Sequence, residues 1–295
     1  MAEMAQFSQR NYSTLKRVKV VAAIPCFNTE KYITDVVTTA RKYVDDVIVI
    51  DDGSTDMTAK TAEIAGACVI RHEKNRGKGA AIKTALDNAK FSNIIVFIDG
   101  DGQHDAHDIP KLLEPILQEK ADFVIGSRYL SKSKDLSNTF SRRMTNNVAS
   151  FTISFIISYI QPFAHFVKNQ SLRRPSMINN PRSQMQSVDK SISGVQNYRL
   201  VNGKFKRISD CTSGFTAMKT ENWGQLDLIS NGFQIEIEMI YEQAKNGFII
   251  AETPVSCKWK VGSSNLSIVR DGFKTLGLLI GKLITFSDNK KQSGL

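Results

Sequence analysis

The sequence predicts an α/β fold built on a mostly parallel central sheet with helices on its faces. Three observations carry this. Short, largely apolar runs rich in Val and Ile recur at Val18 to Ile24, Val47 to Ile50 and Ile94 to Ile98. Brief β-branched runs of this kind read as strands buried on both faces. Each run leads into a polar turn and then a helical stretch, which is the strand–turn–helix order of a parallel sheet.

Taken in order, the first run ends in Pro25-Cys26-Phe27-Asn28-Thr29-Glu30 and the second in Asp51-Asp52-Gly53-Ser54-Thr55-Asp56. A basic, glycine-bearing turn, His72 to Gly79, precedes a helical stretch from Ala80 to Ala89. Lys78 and the backbone of Gly77 and Gly79 are candidates to cradle phosphate. The third run ends in Asp99-Gly100-Asp101-Gly102-Gln103-His104. Two carboxylates one residue apart, with the Gln103 oxygen, offer hard oxygen ligands of the kind Mg2+ or Mn2+ prefers. As a plain acidic turn, the same stretch would leave Asp105 or Asp108 to cap the next helix. A further short strand runs from Phe123 to Ile125. These strand ends fall at one carboxyl edge of one sheet, where open α/β sheets bind ligands.

The ordered segments AIPCFNTE, VIDDGSTD, NRGKGAA, FIDGDGQHDAHDIP and VIGSRY resemble the nucleotide-sugar-binding half of a family 2 glycosyltransferase with the GT-A (Rossmann-like) fold. Further on, SRRMTNN, ISDCTSGFTAM, GFQIEIEM and AETPV are similar to its dolichyl-phosphate mannose synthase branch and related polyprenyl-phosphate glycosyltransferases. The resemblance spans roughly residues 18 to 285. It implies a metal site at Asp99, Asp101 and Gln103, and a nucleotide-sugar site of Pro25, Phe27, Asn28, Asp52, Ser54, Lys78, Asp99, Gly100, Asp101 and Arg128. Arg128 would reach phosphate, Asp52 would accept from a base N–H, and Phe27 would pack near the base. On the acceptor side it implies Arg142, Arg143, Asn146, Lys258, Lys260 and Ser263 around a phosphate, with Asp101, Arg128 and Arg143 as the catalytic set. The chain has Asn28-Thr29 where the family carries Asn-Glu, and Thr216 follows the SGF motif where the family carries arginine. GDP and UDP donors stay open on this reading.

The expected organisation is a flexible tail over 1–17, a nucleotide-sugar-binding half over 18–130, an acceptor half over 131–269 and a C-terminal amphipathic helix and tail over 270–295. Formal net charge is +10, and it is concentrated. Between His165 and Ile208 nine Lys or Arg face one acid, Asp189. This segment, 165–208, reads as a basic insertion suited to anionic lipid headgroups, where each basic residue contributes about 1 kcal/mol. No aromatic-studded platform supports nucleic-acid binding. Residues 148–160 form an apolar run too short to span a bilayer, which takes roughly 20 residues. That run and the lysine-flanked stretch 273–284 are candidates for helices in the membrane interface, and each reads equally as a core helix; a polyprenyl acceptor favours the interface. The four cysteines have no metal-ligand spacing and read as reduced, mostly core residues of a cytoplasmic protein.

Together these readings imply a metal-dependent, inverting transferase. It would move a hexose from a nucleotide-diphosphate sugar to a polyprenyl phosphate, peripherally attached at the cytosolic membrane face. A hydroxyl acceptor would need a carboxylate base, for which Asp210, Glu236 and Glu238 are candidates; Glu236 and Glu238 should point to different faces of their helix. A catalytically silent nucleotide-sugar binder is the third reading.

Overall fold

The computed structural model describes residues 18–130, 146–158, 199–200, 207–258, 274–275 and 277–282. One eight-stranded sheet runs through them in the order β3-β2-β1-β4-β7-β5-β8-β6. The strands are β1 (Val20–Cys26), β2 (Asp46–Asp51), β3 (Cys68–Arg71), β4 (Ile94–Phe97), β5 (Phe123–Ser127), β6 (Arg199–Leu200), β7 (Thr216–Lys219) and β8 (Ile250–Pro254). β1 lies parallel to β2 and β4, β2 to β3, and β5 to β8. β7 runs antiparallel between β4 and β5, and β6 runs antiparallel along β8.

The mostly parallel sheet is therefore present, with a reversal near its centre that the sequence reading did not contain. The reversal has a functional consequence. Because β7 enters the sheet from the opposite end, the segment before it, Asp210 to Gly214, lies at the edge where β1, β2, β4, β5 and β8 finish.

Strand residues alternate between two cores, as a period of two requires. Val21, Ala23, Ile48, Ile50, Ile95 and Phe97 face one core, and Ala22, Ile24, Val47, Val49, Val96 and Ile98 face the other. Helices cover both faces. Ala81, Ile82, Ala85 and Leu86 of the Lys78–Asn88 helix enter the first core with Ile235, Met239 and Ile240 of the Ile235–Lys245 helix. Ile33, Val36, Val37 and Ala40 of the Glu30–Ala40 helix enter the second with Ile109, Leu112, Leu113 and Ile116 of the Ile109–Leu117 helix. Full burial of one such side chain contributes about 1.5–3 kcal/mol. Of the two capping candidates, Asp105 does the capping: its side chain accepts from His107 N and starts a short 3-10 turn. Asp108 instead accepts from Ser256 N after β8.

Residues 146–158 are helical. Ile153, Ile156 and Ile157 are buried in the first core, whereas Val148, Phe151 and Phe155 are exposed, the two phenylalanines by 55% and 63%. Among the described residues no helix is long and apolar enough to cross a membrane. In the C-terminal stretch 273–284 the described helical residues turn one face to the core, while Ile280 is half exposed. Leu279 is buried in the first core and Lys282 turns inward onto carboxylates of the Ile235–Lys245 helix. Of the cysteines, Cys26 and Cys211 are buried, Cys257 is half-buried and Cys68 is exposed, so two of the four are core. The tail 1–17 and most of the basic segment 165–208 lie outside the described residues.

Candidate active site

The acidic turn after β4 stands at the centre of the carboxyl edge. Lys78 Nζ lies 2.6 Å from Asp99 Oδ1 and 2.7 Å from Glu236 Oε1, so one ammonium is shared between two carboxylates. Lys78 opens its helix directly after the sharp turn at Gly77, and Glu236 sits in the first turn of the Ile235–Lys245 helix. Burial works against the charge on Lys78, but Asp99 and Glu236 outweigh it and raise the ammonium pKa. Burial also pushes the carboxylates upward. At Asp99, the Lys78 ammonium leads the charges that overcome that and hold it below the usual range, whereas Glu236 stays raised. Of the two acids on one cation, Asp99 is the one that keeps its charge most firmly. Asp101 is held within its own turn: Oδ1 accepts from Gln103 N at 2.9 Å and Oδ2 from Gln103 Nε2 at 2.6 Å.

Gly214, just before β7, closes the other side of Asp99. A Cβ at Gly214 would sit 2.3 Å from Asp99 Oδ2, so only a residue without a side chain lets that carboxylate lie where it does. Arg128, just past β5, is fixed by a two-pronged pair. Its Nε lies 2.7 Å and its Nη2 2.8 Å from the Asp210 oxygens, and Nη2 also donates to Thr212 O at 3.0 Å. The planar guanidinium fork matches a carboxylate in this way. Burial would raise Asp210, but Arg128 dominates and holds it below the ordinary carboxylate range.

His104 is the residue sequence reasoning passed over. It is buried, packs its ring 5.3 Å from Phe215, and leaves Nδ1 without a hydrogen-bond partner. Burial, with the Arg128 charge nearby, pushes its pKa down to about 4, so it is a neutral imidazole at neutral pH. Adjacency to Gln103 was its sole signal in the sequence.

The first two turns are stitched together. Asn28, at φ 54°, donates its N–H to Ser54 Oγ at 2.9 Å and accepts from Thr55 N on its side chain at 2.9 Å. Gly100 N donates to Pro25 O at 3.4 Å, and Phe27 is 39% exposed at the edge. Pro25, Phe27, Asn28, Ser54 and Gly100 are thus brought together.

Asp52 differs from expectation. Its carboxylate pairs with His72 Nδ1 at 2.6 Å and accepts from Arg76 N at 2.9 Å and Gly77 N at 2.8 Å. It is buried, and it organises the basic turn rather than presenting itself to a base. The phosphate cradle differs as well. Gly79 N donates 2.8 Å to Asn231 O, and a Cβ at Gly77 or Gly79 would strike the Asn231 or Ser230 carbonyl at 2.3 or 2.4 Å. The two glycines let the 230–231 backbone approach.

On the acceptor side, Asn146 is buried and donates to Ser209 O at 2.8 Å, a structural tie in place of the expected phosphate contact. Lys258 N donates to Gln103 O at 2.8 Å, which brings the segment after β8 onto the acidic turn, and His104 pairs with Cys257 beside it. Arg142, Arg143, Lys260 and Ser263 lie outside the described residues. As the sequence predicted, Glu236 and Glu238 part company: Glu236 faces Lys78, whereas Glu238 accepts from Ile229 N and Ser230 N behind the site.

The donor set of the acidic turn fits a hard divalent ion. Asp99, Asp101 and Gln103 place carboxylate and amide oxygens on one turn, with Asp99 Oδ1 now on Lys78 and both Asp101 oxygens on Gln103. Among the described residues no group of three or more His, Cys, Asp or Glu forms a ready cage.

The mostly parallel sheet thus gathers an acidic turn, a largely buried arginine and a lysine at one carboxyl edge. The model of glycosyl transferase family 2 matches residues 21–221, and the chain belongs to that family. It is 27% identical over 284 residues to the uncharacterized protein MJ1222 of Methanocaldococcus jannaschii, covering 94% of this chain and 98% of that one. It is 33% identical over 153 residues to the UDP-N-acetylglucosamine–dolichyl-phosphate N-acetylglucosaminyltransferase of Methanococcus voltae, a match over 45% of this chain and 59% of that one. Among solved structures it is similar to Mycobacterium tuberculosis glucosyl-3-phosphoglycerate synthase in complex with Mn2+, UDP and glucosyl-3-phosphoglycerate. That similarity has a TM-score of 0.58 at 20% identity, covers 90% of this chain and 80% of that one, and speaks to the fold.

Proposed function

We propose that this enzyme moves a hexose from a nucleotide-diphosphate sugar to a polyprenyl phosphate, with inversion, at the cytosolic face of a membrane. The observation that carries the acceptor class is the state of the three candidate bases. Asp210 is locked on Arg128, Glu236 is paired with Lys78, and Glu238 is turned to backbone N–H groups behind the site. A hydroxyl acceptor needs a carboxylate to take its proton. A phosphate monoester brings its own anionic oxygen and needs none. The Methanococcus voltae relative, by its name, acts on dolichyl phosphate.

In this reading Asp99, Asp101 and Gln103 hold Mg2+ or Mn2+, which supplies charge stabilisation for the departing nucleoside diphosphate. Lys78 neutralises Asp99 and stays protonated beside the donor. Arg128, oriented by Asp210, presents its fixed cationic plane to the same edge. Phe27 packs near the base, and Asn28 and Ser54 shape its pocket. Lys258, with Arg142, Arg143, Lys260 and Ser263, holds the acceptor phosphate. The apolar face of helix 146–158 and the basic segment 165–208 hold the enzyme on anionic headgroups.

A second reading is a saccharide or protein hydroxyl acceptor, with Glu236 as base. The upward push on the Glu236 pKa favours it, because a raised carboxylate is the better proton acceptor.

The deciding experiment offers a panel of labelled GDP- and UDP-sugars with dolichyl or undecaprenyl phosphate and Mg2+ or Mn2+. Label enters organic-extractable lipid with one donor and is lost with chelator and in Asp101→Ala. The rate rises with the second ionisation of the acceptor, near ~6 for a phosphate monoester. Label on soluble saccharide or protein, lost in Glu236→Gln, would establish the second reading. Metal–nucleotide binding without transfer to any acceptor would make the chain a silent binder.

A further inference from the structure

Lys282 belongs to the C-terminal helix, far along the chain from every motif of the site, yet its side chain is 8% exposed. A lysine on an amphipathic helix ordinarily carries its ammonium out to water. Here Nζ lies 2.7 Å from Glu242 Oε1 and 3.0 Å from Glu238 Oε1, and donates 2.5 Å to Asp227 O. Glu238 and Glu242 stand one turn apart on the Ile235–Lys245 helix, both fully buried. Like charges at that spacing repel; Lys282 shares its ammonium between the two, and Lys245 Nζ adds a second contact to Glu242 at 3.3 Å.

The two carboxylates also hold backbone. Glu238 accepts from Ile229 N at 3.0 Å and Ser230 N at 2.9 Å, and Glu242 accepts from Asp227 N at 3.3 Å. Segment 227–230 is thereby gripped by one Glu–Lys–Glu cluster. The next residue, Asn231, accepts Gly79 N at 2.8 Å on its carbonyl and Lys83 Nζ at 2.7 Å on its side chain. Gly79 directly follows Lys78, and Lys78 pairs with Glu236 two residues from Glu238. The cluster therefore meets the Lys78 site along two routes, through the 227–231 backbone and along the helix.

We propose that Lys282 is a positioning residue for the donor site, fixing segment 227–231 against Gly77–Gly79 and so fixing Lys78 between Asp99 and Glu236. This rests on the reading of the Asp99 edge as the donor site.

The test measures amide hydrogen exchange in the full chain for wild type, Lys282→Met and Glu238→Gln. Titrations with Mn2+–UDP and Mn2+–GDP accompany it. The expected result is exchange faster by about tenfold or more at Ile229, Ser230, Gly79 and Ala80 in both variants, the scale of a lost charge-assisted hydrogen bond. Affinity for the metal–nucleotide that wild type binds falls alongside it. A merely structural lysine would loosen residues 238–242 and 279–282 and leave Gly79 and Ala80 at the wild-type rate; that result overturns the proposal. If Lys282→Met does not fold, Glu238→Gln decides on the same amides. If wild type binds neither metal–nucleotide, the donor reading fails while the exchange pattern still judges the relay.

Discussion

At Gly214 a single methyl group decides the geometry of the site. Gly214→Ala would place a carbon 2.3 Å from Asp99 Oδ2, with Lys78 holding the carboxylate from the other side. The carboxylate has to move. We expect folding to cost about 1–3 kcal/mol, the scale of an overpacked site, and transfer to fall by about a hundredfold or more, since a displacement near 1 Å at a reacting centre costs that much. Thermal melts and initial rates on the same preparation check both numbers. Normal turnover in the variant would remove Asp99 from the machinery. Asp210 gives a prediction with a pH signature. Asp210→Asn removes the carboxylate that the largely buried Arg128 pairs with, which costs about 3–5 kcal/mol. The folded Asp210 carboxylate titrates below its unfolded value. Its stabilisation is therefore fully present above about pH 3.9, the unfolded value, and is lost as pH falls through the lower folded value. Urea unfolding of wild type and Asp210→Asn should differ most at neutral pH and converge in acid. A gap that persists undiminished at low pH would mean the pair is not what the mutation removes.

At the scale of the element, helix 146–158 separates packing from surface within one stretch. Ile153 faces the core, and Phe155 faces out. Ile153→Ala should cost about 2–5 kcal/mol in urea unfolding. Phe155→Ser should stay within about 0.5 kcal/mol, while co-sedimentation with anionic vesicles drops. Equal loss of stability in both would show that Phe155 is covered. This helix also shows which part of the fold was legible. Short β-branched runs announce strands, and their polar ends announce the sheet edge, so β1, β2, β4 and β5 could be read directly. β7 could not: Thr-Ala-Met-Lys is four residues with no directional signal, and its reversal comes from where Asp210 to Gly214 must return. The same limit applied within the site. Asp99, Asp101 and Lys78 were legible because motif residues converge at a carboxyl edge. The occupations of Asp52 by Gly77 N, and of Gly79 N by Asn231 O, join residues 25 and 152 positions apart, a spacing no local pattern encodes. A lysine flanking an amphipathic helix reads as a surface charge, and nothing local to Lys282 marks it as the partner of Glu242, 40 residues earlier.

For the whole molecule, the partners that the two carboxylates of the acidic turn already have set how metal removal should behave. Asp99 has Lys78 as its resident cation and Asp101 is braced by Gln103, so neither carboxylate needs a metal to stay folded. No cage of three or more acidic, histidine or cysteine side chains exists among the described residues. On the proposed reading a divalent ion competes with Lys78 and Gln103 for these carboxylates, so its affinity is expected to come jointly with diphosphate oxygens. Chelation is expected to leave the melting temperature nearly unchanged. Mn2+ alone at millimolar concentration should shift it little, and Mn2+ with UDP or GDP should raise it clearly. A ligand at about a hundred times its Kd stabilises by about 2.7 kcal/mol. Asp101→Ala should melt like wild type in the absence of ligand and lose the joint shift. Thermal melts across these conditions read all of it. A large shift with Mn2+ alone would mean that the protein by itself forms a full metal site, and the coupling of ion to nucleotide would have to be abandoned.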